Sequence, residues 1–345
     1  MSSADWPIQA LMARHLGDAV MALPALRLLA DAFPDRELRV LARGPSADAL
    51  RRQGRWTVRP PEELGRGPVV LFAASLRVAF AAVTAGASPR IGLAGDGRRA
   101  LLSHVVRGPA EALPERVSGR RLPRLLVREH QGDAWLRVAE AAVARLGGGP
   151  SSAGAGDRSG GAWVPGPDAA ARGDAAWEAA GRPDVVVHPC VAGAATKGWR
   201  TVRWRAVVER LGSRCVVTGG PSEADAALVE AVGGRGLAGD RALPVDVWAA
   251  LAMRAGTVIA PDTGVGHLAR AAGVRVVSLF GSTDPRRHGP RGAGGLSLLW
   301  GGDGLDCAPC YGNVCHRGDH ACTATVTVDA VLGAVGAADV LQCAP

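Results

Sequence analysis

The sequence predicts an α/β protein of two doubly wound halves, each a parallel sheet with helices on both faces, facing one another across a cleft. Three observations carry this. Short apolar strand-like runs alternate with helical patterns along both halves of the chain. Between them, residues 147–161 (GGGPSSAGAGDRSGG) hold almost nothing that can bury surface, and read as a linker. At 345 residues the chain is also too long for one ordinary core. The expected organisation is a Rossmann-like domain over 1–146, the flexible linker over 147–161, a second Rossmann-like domain over 162–325, and a helix and tail over 326–345.

In the first half, residues 8–13 (IQALMA) form a short buried strand, followed by a turn at 15–18 and an amphipathic helix to about Leu29. Pro24 falls inside that helical pattern, which predicts a break near Leu23. Strand-like runs follow at 38–42 and 69–73, with helical patterns between or after them, and a helix over 130–146 closes the half. The second half repeats the alternation, with strands at 184–188, 214–218, 257–260 and 275–280. Its helices are expected at 202–211, 222–232, 244–254 and 264–272, and a last one at 328–341. In such sheets ligands bind at the carboxyl ends of the strands.

Apolar content of 48% and charged content of 21% describe a globular chain. No run reaches the roughly 18 apolar residues of a membrane span. The N-terminus lacks a signal-peptide pattern, so a cytoplasmic location is expected. The net charge of +8 favours anionic partners: nucleotides, phosphorylated acceptors or an anionic membrane face. The arginines are scattered rather than striped, and four Phe and one Tyr offer little to stack bases on, which argues against nucleic acid. Among 40 basic residues Lys197 alone is lysine, in the stretch HPCVAGAATKGWR (188–200) directly after a strand. An ammonium is a compact point charge where a guanidinium is a planar fork, so Lys197 suits a task arginine cannot perform.

The richest segment is VIAPDTGVGHLARAAGVRVVSLFGSTDP (258–285). A strand ends at Ala260. Asp262 and Thr263 can cap the next helix, Gly264 and Gly266 let a ligand approach its first turn, and the free N–H groups with the helix dipole make an anion site. His267 lies one turn beyond Thr263 on the same face. Gly219 and Gly220, after the 214–218 strand, offer a second close approach. Four of the seven cysteines lie within sixteen residues as C-x2-C-x4-C-x6-C: Cys307, Cys310, Cys315 and Cys322. Four thiolates can hold a structural zinc or iron. A disulfide, or reduced thiols packing a loop, are the rival readings.

These motifs resemble those of the heptosyltransferase family, glycosyltransferase family 9. DTGVGHLARAAGVRVVSLFGSTDP is similar to the family signature, HLGDAVMALPALRLLADAFP (15–34) to its opening, HP…TKGWR…W to its central lysine element, and CAPCYGNVCHRGDHAC (307–322) to its cysteine cluster. Departures are Arg14-His15 where the family carries serine, HPC for HPG, and Arg200 and Arg275 in place of prolines. The resemblance implies a GT-B fold, with an N-terminal acceptor domain and a C-terminal nucleotide-sugar domain. It implies inverting transfer of a heptose or similar sugar from an ADP-sugar such as ADP-heptose.

Asp18 falls on the family's general base, and a carboxylate at a helix's first turn can take a hydroxyl proton. The alternative for Asp18 is a charge stabilised by the helix dipole. Lys197, Gly219, Gly220, Asp262, Thr263, Gly264 and His267 are expected at the donor, with Glu223 and the 244–254 helix near the base. The chain contains no Asp-x-Asp, so no cofactor is expected to be required for catalysis. The acceptor is open between a lipopolysaccharide-core sugar and a small aminocyclitol or nucleoside, with Arg77, Arg90, Arg98, Arg99 and Arg120 as candidate anion contacts. A nucleotide-sugar-binding protein without transfer, either an epimerase or a partner subunit, is the alternative.

Overall fold

The structure, a computed structural model, describes residues 6–95, 97–108, 110–117, 120–127, 129–149, 162–336 and 340–343. Residues 150–161 of the expected linker lie outside them. The chain divides into two compact units: residues 1–109 with 128–161, and residues 162–345 with 110–127.

The first unit begins with β1 (Ile8–Met12), buried at all five positions as expected of a strand covered on both faces. Its one polar residue, Gln9, is satisfied by Gly65, donating to the carbonyl at 3.0 Å and accepting from the amide at 2.9 Å. The predicted break appears between α1 (Leu16–Met21) and α2 (Leu23–Ala32), because Pro24 sits in the first turn of α2, where its missing N–H costs nothing. There follow β2 (Leu38–Leu41), α3 (Gly44–Leu50), β3 (Thr57–Arg59), β4 (Gly67–Phe72), α4 (Leu76–Thr84), β5 (Ala87–Leu93) and β6 (His104–Val106). An antiparallel hairpin, β7 (Ala110–Val117) and β8 (Arg120–Val127), which falls in the second unit, interrupts the first before α5 (Gln131–Leu146). The sheet order is β3-β2-β1-β4-β5-β6, parallel throughout. Phe72 of β4 meets Trp135 of α5 edge to face at 5.8 Å, closing this core.

The second unit runs α6 (Pro167–Ala179), β9 (Val185–Val187), α7 (Thr201–Leu211), β10 (Cys215–Thr218), α8 (Glu223–Val232), β11 (Gly236–Leu237) and α9 (Val245–Ala255). It continues with β12 (Thr257–Pro261), α10 (Gly264–Ala271), β13 (Arg275–Phe280), α11 (Pro285–His288), β14 (Leu296–Trp300), α12 (Ala321–Ala324), α13 (Val328–Val335) and β15 (Val340–Cys343). The order β11-β10-β9-β12-β13-β14-β15 repeats the first sheet with one strand added. Each unit is thus Rossmann-like, two in one chain as in the GT-B fold, and each reverses strand order beside its first strand. Valines of β9 and β10 pack with Trp204, Val207 and Val208 of α7 in the second core.

The expected helix over 328–341 is corrected. It stops at Val335 with Gly336 at its end, and residues 340–343 pair in parallel with β14. Gly333 and Gly336 weaken the helix, while β14 offers an unfilled edge to Val340–Cys343. No helix among the described residues is long and apolar enough to cross a membrane.

Candidate functional site

The carboxyl ends of β9 and β12, neighbours at the switch point of the second sheet, bring the predicted residues together. After β9 the chain passes His188 and reaches a single 3-10 turn, Ala195–Lys197. After β12 it enters α10 through Asp262 and Thr263. The two loops are joined by an ion pair, Lys197 Nζ to Asp262 Oδ2 at 2.8 Å. The Thr283 hydroxyl donates to that same oxygen at 2.7 Å. Asp262 is 5% exposed and Lys197 29%, so the carboxylate is buried and the ammonium partly open to solvent.

Burial pushes the Asp262 carboxyl up, but the charges facing it, Lys197 foremost, outweigh burial and hold it below the usual carboxylate range. His267, 4% exposed, is pushed down to about 4 by burial, and its Nδ1 has no hydrogen-bond partner among the described residues. It is therefore neutral at pH 7. Half-buried His288 of α11 also faces Asp262, is pushed down to about 3, mainly by burial, and packs edge to face on Tyr311 at 5.7 Å. The fixed positive charge on this carboxylate is accordingly that of Lys197.

One expectation is corrected here. Neither Asp262 nor Thr263 caps α10: the Asp262 carboxylate is held by Lys197 and Thr283, and the Thr263 hydroxyl donates to the Pro261 carbonyl at 3.2 Å. The N-cap residue Thr263 makes no side-chain cap to this helix, and Thr263 and Gly264 at its start are half-buried. The start of α10, which follows Asp262 directly in sequence, therefore stands next to one member of the Lys197–Asp262 pair.

At the end of β10, Gly219 is demanded by packing. A Cβ there would stand 2.9 Å from Ala238 Cβ and 3.1 Å from Cys190 Sγ. A Cβ on Gly220 would press on the Asp225 carboxylate at 2.7 Å. Glu223 is exposed in the first turn of α8, whose cap is Ser222 accepting from the Asp225 amide at 3.1 Å. His188 Nδ1 shares a hydrogen bond of 3.0 Å with Thr218 Oγ1, which also accepts from Trp248 Nε1 at 3.0 Å.

Asp18 belongs to the first unit. It lies half-buried in the first turn of α1, at the carboxyl end of β1 and so at that sheet's own switch point. Two of the arginines expected at an anion are otherwise engaged. Arg98 is fully buried and donates to the Ala73 carbonyl, while Arg90 donates to Leu101 O at 2.6 Å and Ala87 O at 2.8 Å. Arg77 and Arg99 are exposed, and the Arg120 side chain lies outside the described residues.

Cys307, Cys310, Cys315 and Cys322 are free thiols. They are close enough that, after burial, the other three raise Cys322, to about 11. Four thiols suit zinc or iron chemically, yet among the described residues no three His, Cys, Asp or Glu gather as a ligand set. Sequence reasoning missed Thr196, Ser282, Thr283 and His288. The GSTDP string signalled the turn that holds the middle two, without showing what each hydroxyl reaches.

The profile of glycosyltransferase family 9 (heptosyltransferase) matches residues 164–317, which include every second-unit residue named above for this site except Cys322. Lipopolysaccharide heptosyltransferase 1 of Pseudomonas aeruginosa is 36% identical over 124 residues, or 35% of this chain and 34% of that protein. The match thus spans about a third of the length of that curated relative. Among solved structures, E. coli ADP-heptose LPS heptosyltransferase II superposes with a TM-score of 0.67 at 17% identity, over 95% of this chain and 97% of that one. TibC of enterotoxigenic E. coli, a dodecameric iron-containing heptosyltransferase solved with ADP-D-β-D-heptose, gives 0.54 at 14% identity, over 96% and 75%.

Proposed function

We propose that this chain, whose residues 164–317 match the heptosyltransferase family, glycosyltransferase family 9, is an inverting glycosyltransferase. It moves a heptose or similar sugar from an ADP-sugar to an acceptor hydroxyl. The observation that carries the donor half is the Lys197–Asp262 pair beside the start of α10. An ammonium has three donors. One reaches Asp262 Oδ2, leaving two for the oxygens of a diphosphate, whose charge the helix dipole also favours. His267, neutral, is left to hydrogen-bond the same group.

In the proposed step the acceptor oxygen attacks the anomeric carbon while the bond from that carbon to the diphosphate oxygen breaks. Asp18 takes the acceptor proton, and the electron pair leaves with ADP. Lys197 and the α10 amides neutralise the departing diphosphate, a task many glycosyltransferases give to a metal on Asp-x-Asp, which this chain lacks. Transfer is therefore proposed to be metal-independent. No step is routed through the cysteine cluster. A structural zinc or iron there is checked by metal analysis of tag-free protein purified reduced. A lipopolysaccharide-core acceptor draws support from the partial similarity to the Pseudomonas enzyme, and an aminocyclitol or nucleoside is the competing class.

Incubation with ADP-heptose and candidate acceptors, followed by mass spectrometry, tests this. ADP released only when an acceptor is present supports transfer. A changed sugar without ADP would make the protein an epimerase, and neither product would leave a binding module.

A further inference from the structure

Lys197 stands on a single turn, closed by Lys197 N to Ala194 O and Gly198 N to Ala195 O, both 3.0 Å. Such a turn has little stiffness of its own. The residue before it, Thr196, is 2% exposed, and both functions of its hydroxyl are used. It accepts from Ser282 Oγ at 3.0 Å and donates to the Gly312 carbonyl. Ser282 belongs to the GSTDP turn, and Gly312 lies between Cys310 and Cys315. The two partners are linked again by the Tyr311 amide, which donates to Ser282 O at 3.0 Å. A Cβ on Gly281 would press on Thr323 and lie 3.3 Å from Cys322 Sγ and 3.4 Å from Thr196 O, so the far end of the cysteine loop closes on the same spot.

Resting on the donor reading above, we infer that Thr196 is a positioning residue: it fixes the Lys197 ammonium by tying its turn to Ser282 and to the cysteine loop. Thr283 holds Asp262, the ammonium's partner, from the adjacent position of the same GSTDP turn. The turn thus braces both members of the pair, one hydroxyl to each. The cysteine loop serves as the outer buttress. Thr196 itself touches no ligand in this account and acts through Lys197.

Full-length Thr196→Val keeps the shape and deletes both hydrogen bonds, whereas Thr196→Ser keeps them. With ADP as probe in isothermal titration calorimetry, Thr196→Val should bind about five- to tenfold more weakly, the worth of a buried hydrogen bond or two. Thr196→Ser should stay within about twofold of wild type, since it retains the hydroxyl. On a Lys197→Ala background Thr196→Val should add no further loss, because the residue it positions is gone. Wild-type affinity in Thr196→Val, or a further several-fold loss in the double variant, overturns the inference. Amide hydrogen exchange of ligand-free protein reads the brace independently of ADP. Lys197 and Gly198 should exchange faster in Thr196→Val than in wild type or Thr196→Ser, and unchanged exchange also overturns it. If wild type takes up no ADP, the donor reading fails, and the exchange comparison alone decides the brace.

Discussion

Replacing Lys197 by methionine keeps the stem and deletes the charge, leaving a carboxylate 5% exposed that still accepts from the Thr283 hydroxyl at 2.7 Å. Removing one member of a fully buried ion pair costs about 3–5 kcal/mol. With 29% of Lys197 exposed, solvent screens part of that, and roughly 2 kcal/mol is expected. For a domain the size of the second unit, each kcal/mol moves the Tm by about 2–4 °C, so a fall of about 4–8 °C at pH 7 follows. The pH dependence carries the sharper test. In the wild type, burial would raise the Asp262 carboxyl, but the opposing charges, led by Lys197, leave it lowered. Its stabilisation is therefore present above the unfolded value of about 3.9 and lost only as pH falls through the lower folded value. Without Lys197 burial dominates and the carboxyl rises, so the variant is penalised at pH 7 and relieved as pH falls and the group protonates. Calorimetry of the second unit's transition at pH 7 and pH 5 should show the gap between wild type and variant narrowing on acidification. A gap under about 1 °C at pH 7, or the same gap at both pH values, would refute the pair's assigned role, given the scale of a kcal/mol in Tm.

Asp18→Ala should abolish transfer while ADP affinity, read by calorimetry, stays at the wild-type level; near-full activity places the base elsewhere. Thr283→Val should weaken ADP binding roughly tenfold, because a charge-assisted hydrogen bond to Asp262 is lost, and unaltered affinity contradicts the brace on the carboxylate. Gly219→Ala puts a methyl 2.9 Å from Ala238 Cβ and 3.1 Å from Cys190 Sγ, and should lower the urea midpoint by the equivalent of about 1–3 kcal/mol. Transfer should persist in EDTA; its loss, with recovery on adding magnesium, overturns metal-independent chemistry.

What could be read from the chain was what periodicity and turn chemistry encode locally. Strands β1, β2, β4, β9, β10, β12 and β13 and the αβ alternation follow from runs such as VVLF and VVV, and the helix break from Pro24, whereas β5 and β14, interior to their sheets, were not legible. Edge elements were not legible: β3 and β11 are two or three residues long, and β15 exists because β14 has an edge to fill. Its sequence, VLQC, reads equally as the end of a helix. The residues of the proposed donor site were legible as residue types, but the Lys197–Asp262 pair joins positions 65 apart in sequence. Thr196 and Gly312 are 116 apart. Such partners are set by strand order, which spacing along a chain does not reveal. The capping expectation for Asp262 went wrong for the same reason: a local rule assigned a carboxylate that a distant lysine already held.

That also explains why one lysine stands among so many arginines. Asp262 presents Oδ2 to Lys197, and Thr283 donates to that same oxygen, so the cation is offered a single acceptor already shared. A guanidinium gains most from two parallel bonds to both oxygens of a carboxylate, which this geometry does not supply. Its planar fork would also fix its remaining donors in one plane, whereas an ammonium rotates two donors toward a diphosphate at no geometric penalty. Lys197→Arg should therefore keep the charge on Asp262 and most of the stability that Lys197→Met loses, yet bind ADP substantially more weakly. The two measurements separate charge from shape. An arginine variant with wild-type affinity would show that the site needs only a cation, and the lysine would then be a chance residue.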